Sequence, residues 1–361
     1  MAERSAPTMS GPVDSVSHVP GVDTIALSDW LLRNLPWMPV SSLRVSPISG
    51  GRSNLTYHVD GGPRPLVLRR PPLGHVLETA HDMRREYRVM KALAGTGVPV
   101  PRVVALCTDE SVLGAPFYLM EKVAGVVHRS ADDLRRLGAD PGRGRGRLLG
   151  YAITDVLSDL HSVDPQAVGL ADFGRPEGFM ARQLKRWQGQ LESSRTRDLP
   201  GIGELADRLT ASLPVSPRPA IVHGDYRLDN VMADRSDPTR IAAVLDWEMA
   251  ALGDPLSDVG MFCVYWDGLA GLGEAVPPAP GCLPGWPTRQ ELVERYAARS
   301  GAEVGELAWY VAFAFFKLAV ILEGIRYRHL QGSTADSGFE AIADAVPVLA
   351  ERGHTALDGR S

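Results

Sequence analysis

The sequence is poor in cysteine and has no excess of positive charge. Its three cysteines, Cys107, Cys263 and Cys282, are too few and too scattered for a disulfide framework or a zinc site. The formal net charge of -5 provides no basic surface for a nucleic acid. The N-terminus also lacks the basic start and apolar core of a secretory signal. We therefore expect a cytoplasmic protein that binds no nucleic acid.

A segment that is apolar enough to cross a membrane is also lacking. The most apolar run, residues 307–316, is followed by Lys317 and soon afterwards by Glu323. A membrane span needs about 20 apolar residues in succession. We therefore expect a buried core helix here and no association with a membrane.

The composition changes along the chain and predicts two lobes. Residues 1–20 are rich in Ser, Pro and small side chains, which predicts a disordered tail. Residues 21–123 contain several strand-like runs and one helix and are predicted to form an N-terminal lobe; residues 124–361 are mostly helical and are predicted to form the second. The Gly- and Pro-rich segment 266–287 is expected to be a flexible loop over or beside the functional site. The expected fold class is α+β.

Two apolar runs in the second lobe each end in an acidic side chain. The first leads into His223-Gly224-Asp225, with Asn230 five residues further on, and the second ends at Asp246. Two buried strands would bring both carboxylates to the same edge. A carboxylate can orient a hydroxyl group and accept its proton, and Mg²⁺ prefers oxygen ligands. The pattern therefore predicts Asp225 as a general base, and Asn230 and Asp246 as magnesium ligands.

Phosphoryl transfer also needs a cation on the phosphate oxygens. The predicted strand 66–70 ends in Arg69 and Arg70, either of which could bind phosphate, and Glu86 on the following helix could hold that cation in place. The turn at Gly50 and Gly51 would bring backbone N–H groups close to a phosphate. The plain alternatives are a surface ion pair and an ordinary hairpin turn.

Other polar residues around the motif have structural interpretations. Because no second histidine lies at ligand spacing, His223 is predicted to be a structural imidazole that binds the loop backbone. Asp254 and Asp258 are predicted to cap a turn and a helix, and Asp258 could also hold the catalytic loop. Arg227 would either approach the transferred phosphoryl group or pair with Asp229.

The spacing His223-Gly224-Asp225-x-x-x-x-Asn230, followed by Asp246-Trp247-Glu248, resembles the signature of the aminoglycoside phosphotransferase family, which is related to the protein kinases. Arg69-Arg70-Pro71-Pro72 and Arg85-Glu86-Tyr87 narrow the similarity to kinase domains related to those fused to acyl-CoA dehydrogenases. The resemblance implies a bilobal protein-kinase-like fold with an antiparallel-sheet N-lobe and a mainly helical C-lobe. It further implies that ATP binds with Mg²⁺ between the lobes.

The resemblance also implies which residues bind the nucleotide. The adenine would lie against the backbone of residues 121–123, and the complete set is Gly50, Gly51, Ser53, Asn54, Arg69, Glu121 and Val123. The strand position that usually carries a phosphate-binding lysine is Arg69 in this sequence. Arginine keeps the charge but not the geometry of lysine, so GTP stays open as an alternative to ATP.

The predicted acceptor is a hydroxyl group of a small molecule. An aminoglycoside is a polycation that requires an acidic pocket, and the second lobe shows no dense acidic cluster. It offers cations instead, namely Arg182, Lys185, Arg186, Arg326 and Arg328. We therefore expect an anionic acceptor such as a hydroxyacyl thioester. The alternatives are an aminoglycoside-modifying kinase, a nucleotide-binding pseudokinase that regulates a partner, and a metal-dependent hydrolase, which would need a closer set of His and carboxylate ligands. The oligomeric state is not predicted.

Overall fold

The computed structural model describes residues 19–38, 43–48, 54–74, 81–139, 144–216, 218–237, 239–273, 276–331 and 345–359. The chain divides into two compact units, of which the first comprises Met1–His81 and Ala105–Leu119 and the second comprises Asp82–Val104 and Met120–Ser361. Residues 82–104, which the sequence assigned to the first lobe, group with the second unit. Of the predicted tail, residues 1–18 lie outside the described residues.

The first half of the chain alternates strands with short helices. In chain order its elements are α1 (Thr24–Asn34), β1 (Arg44–Pro47), β2 (Leu55–Asp60), β3 (Leu66–Arg70), α2 (Met83–Leu93), β4 (Val103–Cys107), α3 (Glu110–Leu113), β5 (Phe117–Glu121), β6 (Gly125–Val126) and α4 (Ala131–Gly138). Five of these strands form one sheet in the order β1-β2-β3-β5-β4. The pairs β1–β2 and β2–β3 are antiparallel.

The second half of the chain is mainly helical. Its elements are α5 (Arg145–Ser162), α6 (Phe179–Ser194), α7 (Ile202–Ala211), β7 (Ala220–Val222), β8 (Val231–Asp234), β9 (Ile241–Val244), β10 (Ala251–Gly253), α8 (Leu256–Cys263), α9 (Arg289–Ser300), α10 (Leu307–Leu330) and α11 (Ala345–Leu357). Two small antiparallel sheets, β10-β7 and β6-β8-β9, lie among these helices. The α+β fold class is confirmed.

The longest helix, α10, is the buried core helix that the sequence predicts. Residues 309–320 are all buried, and α10 packs against α6, α7, α8 and α11. By length and composition this helix could cross a membrane, yet 83% of its most apolar stretch is buried inside the protein. A helix that is apolar on all sides is typical of the centre of a large core. Lys317 is buried together with its apolar neighbours.

The segment predicted as a flexible loop is anchored where the structure describes it. Trp266 and Trp286 are buried. The Trp266 indole N–H donates to the carbonyl of Pro287 at 2.9 Å, and that of Trp286 donates to the carbonyl of Leu134 at 3.0 Å. Each buried indole therefore meets its hydrogen-bonding requirement while it fixes the segment to the helical unit.

In the first unit, Arg70 is a structural residue. Its side chain is only 4% exposed, and its guanidinium donates to the carbonyls of Gly21, Leu113 and Pro71. Tyr57 holds the same N-terminal stretch by donating to the carbonyl of Pro20 at 2.5 Å. Because side chains alternate along a strand, Arg69 points to the opposite face of β3. Of the two arginines, Arg69 therefore stays the candidate for phosphate.

We predict that Arg70→Met lowers the free energy of unfolding by about 2–3 kcal/mol, because it leaves the buried carbonyl of Leu113 and two partly buried carbonyls without a charged donor. Urea unfolding would measure this loss. Arg64→Met, at an exposed arginine that precedes the same strand, is the matched control. If Arg70→Met were as stable as the control but had lost nucleotide affinity, Arg70 would be the phosphate ligand instead.

Candidate active site

The loop that carries the predicted base is fixed by a buried carboxylate. Residues 223–225 follow β7, and the Asp258 carboxylate in the first turn of α8 accepts the backbone N–H groups of His223 at 2.6 Å and Gly224 at 2.8 Å. Asp258 also lies 3.2 Å from Nε2 of His161 on α5. The prediction that Asp258 holds this loop is confirmed.

The Asp258 side chain is buried, with only 1% of the residue exposed. Burial alone would raise the pKa of its carboxyl group. The hydrogen bond from His161, the nearby imidazoles of His161 and His223, and the His223 backbone hydrogen bond outweigh burial and hold this pKa below its ordinary value of 3.8. A carboxylate that accepts several N–H groups is favoured in its ionised form. The hydrogen-bond donors around Asp258 therefore compensate for the burial of its negative charge.

His223 is a structural imidazole, as predicted. Its Nδ1 accepts the backbone N–H of Asp225 at 3.3 Å, so the proton of a neutral ring lies on Nε2, which is 2.8 Å from the carbonyl oxygen of Leu245. The ring also packs against Trp247, with 4.7 Å between the centroids. Both ring nitrogens are thus used to join the two motif segments, and neither is left for a metal or for proton transfer.

Gly224 is required by the backbone. Its φ of +83° lies in the left-handed region, and a Cβ at this position would lie 2.6 Å from the carbonyl oxygen of Met249. A residue with a side chain would therefore have an unfavourable φ at this position, and its Cβ would clash with the backbone of Met249. The glycine allows the two motif segments to approach each other closely.

Asp225 and Asn230 are in direct contact. The Asn230 side-chain amide donates to the backbone carbonyl of Asp225 at 2.9 Å and to its Oδ2 at 3.0 Å. Asn230 is 7% exposed, whereas the Asp225 side chain is 29% exposed. With Nδ2 committed to Asp225, Oδ1 is the atom of Asn230 that can coordinate a cation.

Asp246 is brought next to this pair by strand register. β8 begins directly after Asn230, Val231 pairs with Val244 of β9, and the N–H of Leu245 donates to the carbonyl of Asn230 at 2.8 Å. Among the described residues, Asp246 is the only non-glycine with positive φ, at 66°. Such backbone is sparsely populated and concentrates at functional sites, although Asp tolerates it better than most residues. The strand end is thus bent at the predicted metal ligand.

The side chains of Asn230 and Asp246 fit Mg²⁺ in chemistry and number. One amide oxygen and one carboxylate are hard oxygen donors, and Mg²⁺ usually keeps several waters and takes substrate phosphates as further ligands. Within the described part of the chain, no group of three His, Cys, Asp or Glu side chains could hold a metal ion. The closer set of His and carboxylate ligands that the hydrolase alternative would need is therefore not found among these residues.

Arg227 lies beside the predicted base. Its Nε is 3.5 Å from Oδ2 of Asp225, a guanidinium nitrogen is 3.2 Å from Oδ2 of Asp229, and the guanidinium lies 4.8 Å from the centre of the Tyr265 ring. Burial alone would lower the pKa of Arg227, but Tyr265 and the surrounding carboxylates raise it. Of the two predicted roles, pairing with Asp229 is the one observed. Arg227 also lines a small pocket together with Leu228, Phe262, Tyr265, Pro277 and Pro280.

The predicted nucleotide-binding residues of the first unit are partly described. Gly50, Gly51 and Ser53 lie outside the described residues. Asn54 is buried, and its Oδ1 is 2.8 Å from Nδ1 of His81. Burial lowers the pKa of His81, and the nearby positive charge of Arg69 lowers it further. Asn54 and Arg69 are therefore brought together around one imidazole.

The other predicted residues belong to the second unit. Glu86 is buried on α2, and Arg85 of the same helix donates to the carbonyls of Phe173 at 2.9 Å and Ala250 at 3.2 Å. Glu121 ends β5 and pairs with Arg102 at 3.1 Å, and Val123 follows, half-buried. The pairing of Arg69 with Glu86 stays a prediction.

One polar residue of the site was missed from the sequence. Lys317 of α10 donates from Nζ to the carbonyl oxygen of Gly224 at 2.8 Å. The available signal was a lone lysine inside a long apolar run, because lysine is almost never fully buried without a partner. In the sequence, Lys317 stands out only as a break in the hydrophobic run.

Comparison with known proteins agrees with the resemblance. A family model described as "Phosphotransferase enzyme family" matches residues 44–292. Mouse acyl-CoA dehydrogenase family member 10 is 36% identical over 308 residues, which cover 83% of this chain and 28% of the relative. The chain spans between 28% and 43% of the length of the acyl-CoA dehydrogenase relatives.

Solved structures share the fold. A protein from Ralstonia eutropha JMP134, assigned as an aminoglycoside phosphotransferase, has 34% identity and a TM-score of 0.79, with 93% of this chain and 98% of that chain covered. A thermostable mutant of another aminoglycoside phosphotransferase, solved with AMP-PNP and hygromycin B, has 15% identity and a TM-score of 0.56, with 92% of this chain and 99% of that chain covered. The protein-kinase-like fold is confirmed.

We predict that Asp258→Asn lowers the free energy of unfolding at neutral pH by about 3 kcal/mol, because an amide offers one oxygen where the carboxylate offers two charged ones. A folded-state pKa below the ordinary value means that the charged carboxylate contributes stability above about pH 4, which is lost as the pH falls through the folded-state pKa. Urea unfolding between about pH 7 and pH 3 should therefore show a smaller acid loss for the variant. Asp207→Asn, on the exposed face of α7, is the control; equal acid losses for all three proteins would contradict the prediction.

Proposed function

The chain belongs to the phosphotransferase enzyme family, and we propose that it is an ATP- and Mg²⁺-dependent phosphotransferase that moves the γ-phosphoryl group to a hydroxyl of a small molecule, with Asp225 as the base. The observation that carries the proposal is the contact between Asp225 and Asn230, with Asp246 held beside them by the Leu245–Asn230 backbone hydrogen bond. A base and oxygen ligands for the metal at one place are two of the three features that phosphoryl transfer requires of the protein, the third being a cation on the phosphate oxygens.

The side chains have separate tasks in this mechanism. The Asn230 amide orients the Asp225 carboxylate, which accepts the hydroxyl proton of the acceptor as its oxygen attacks the γ-phosphorus. Asn230 Oδ1 and the Asp246 carboxylate would hold Mg²⁺, which supplies neutralisation of phosphate charge when bound. Arg69, and the predicted residues Gly50, Gly51, Ser53, Asn54, Glu121 and Val123, would bind the nucleotide. The bond from the γ-phosphorus to the leaving oxygen of the nucleoside diphosphate breaks as the new ester forms.

For the acceptor, we propose an anionic compound with an apolar portion, such as a hydroxyacyl thioester. The pocket beside Asp225 is lined mainly by apolar and aromatic side chains, with Arg227 as its cation. The only acidic residue among these lining side chains, Asp229, is paired with Arg227, so this surface offers no unpaired carboxylate to a polycation and is compatible with an acceptor that has an apolar portion. The relatives named as acyl-CoA dehydrogenase family members support the same class of compound.

Two of the cations chosen from sequence have partners within the protein, as Arg227 does with Asp225 and Asp229. Arg182 donates to the carbonyls of Arg175 and Glu177, and Arg326 contacts Thr196 and Glu323. Both are therefore occupied by the fold. A nucleotide-binding pseudokinase is the second candidate, and the observation that favours it is arginine at the position of the usual lysine.

The decisive experiment is transfer of labelled γ-phosphate from Mg·ATP to a panel of hydroxyacyl thioesters, sugars, amino alcohols and aminoglycosides. We expect transfer to a hydroxyacyl thioester and a loss of at least about 100-fold in Asp225→Asn, because the base no longer accepts the proton. Nucleotide affinity of the variant should stay largely intact. Binding of ATP with no transfer to any acceptor would favour the pseudokinase, and a protein that binds no nucleotide would contradict both candidates.

Asp246→Asn tests the metal site. Asparagine tolerates left-handed backbone, so the fold should survive, but the ligand loses its charge. We expect the Mg²⁺ concentration for half-maximal activity to rise about tenfold or more, since each 1.4 kcal/mol of lost binding is a factor of ten. A magnesium titration of activity would measure it, with Asp207→Asn as the control. An unchanged Mg²⁺ requirement would remove Asp246 from the ligand set.

A further inference from the structure

Helix α10 places a buried ammonium group against the loop that carries the proposed base. Lys317 is 8% exposed, and its Nζ donates at 2.8 Å to the carbonyl of Gly224, the residue before Asp225. The chain has only four lysines, Lys91, Lys122, Lys185 and Lys317. Keeping an ammonium group away from water costs free energy unless it is compensated. The position of Lys317 therefore needs an explanation beyond packing.

The surroundings of Lys317 compensate its charge only in part. Burial lowers its pKa, the charges of Asp225 and Asp258 raise it, and that of Arg186 lowers it. The ring of Trp187 lies 5.5 Å from Nζ and provides a further weak attraction. Within the described residues, the hydrogen-bond acceptor of Nζ is the Gly224 carbonyl and not a carboxylate. The ammonium group of Lys317 thus constrains the orientation of the Gly224 carbonyl.

The peptide between Gly224 and Asp225 is held at both of its polar ends. Lys317 holds the oxygen, and Nδ1 of His223 accepts the N–H at 3.3 Å. The next carbonyl, that of Asp225, accepts from Asn230. Gly224 has more backbone freedom than any other residue type, so this peptide would rotate easily without such contacts. Its two contacts fix the direction in which Asp225 leaves the backbone.

We infer that Lys317 is a positioning residue whose ammonium group, by holding the Gly224 carbonyl, keeps the Asp225 carboxylate in the orientation that accepts the proton of the acceptor. The inference rests on the proposed role of Asp225 as the base. In this role Lys317 acts through the loop that carries Asp225, by way of the Gly224 carbonyl. Its loss therefore affects the rate of transfer and leaves nucleotide binding in place.

The first test is Lys317→Met, which keeps the length and apolar stem of the side chain but removes its charge and its donor. We expect kcat to fall by on the order of 10- to 100-fold, the cost of misplacing a reacting group by about 1 Å. KM for ATP should stay largely unchanged. The melting temperature should move by no more than roughly 4 °C, because two effects oppose each other. Loss of the hydrogen bond destabilises the protein, whereas removal of a buried charge stabilises it.

The second test is chemical rescue, which a purely structural lysine would not show. Lys317→Ala leaves space for a small primary ammonium ion, so added ethylammonium should restore part of kcat, and tetramethylammonium at the same ionic strength should not. Lys91→Met is the matched control, since Lys91 is exposed on α2, and it should keep wild-type kcat. Transfer is followed with the acceptor that the panel identifies, or as ATP hydrolysis where water is the acceptor.

Three results would overturn the inference. The first is wild-type kcat in Lys317→Met. The second is a loss of activity in Lys317→Met that only follows the folded fraction, together with no rescue of Lys317→Ala by ethylammonium. The third is a rise in KM for ATP with kcat unchanged, which would make Lys317 a nucleotide ligand. Failure of the proposed function is distinguished by Asp225→Asn, since wild-type turnover in that variant would remove the base itself.

Discussion

The rest of the site depends on one buried carboxylate that accepts two consecutive backbone N–H groups. Asp258 receives the amides of His223 and Gly224, and through His161 it is linked to Tyr296 of α9, whose hydroxyl is 2.8 Å from the His161 Nδ1. One charged group thereby joins α5, α8, α9 and the catalytic loop. A buried polar network whose members have partners is rigid, because breaking any one bond leaves a group unsatisfied at low dielectric. The loop is consequently part of the helical core.

Two opposite charges fix the two kinds of polar group on this loop. The Asp258 carboxylate takes the N–H groups, and the Lys317 ammonium takes the Gly224 carbonyl. α10 supplies the lysine and also Tyr310, whose hydroxyl donates to Asp254 at 2.6 Å in the turn that leads into α8. Ionised partners make stronger hydrogen bonds than neutral ones. The long core helix thus holds both the loop and the turn before the helix that bears Asp258.

Features that depend on near neighbours in the chain could be predicted. The closeness of Asn230 to Asp225 follows from their five-residue spacing, and the structural role of His223 follows from the lack of a second histidine at ligand spacing. The sequence also allows Asp258 to hold the loop, although 34 residues separate it from Gly224. Lys317 could not be predicted, because its partner is a backbone carbonyl 93 residues away and no pattern marks such an acceptor. The contacts of Arg85 could not be predicted for a similar reason, since it binds backbone carbonyls of distant residues.

Charge counting along the sequence also gave an incomplete view of the acceptor, because the position of a charge decides what it can bind. Arg182 donates to backbone carbonyls just before its own helix, α6. Arg227 instead lies between Asp225 and Asp229 at the edge of an apolar pocket. The acidic group that lines this pocket, Asp229, is thus already paired. A polycation entering there would find no uncompensated carboxylate among the lining residues and would meet a guanidinium group. Specificity against a ligand needs only such an unfavourable contact.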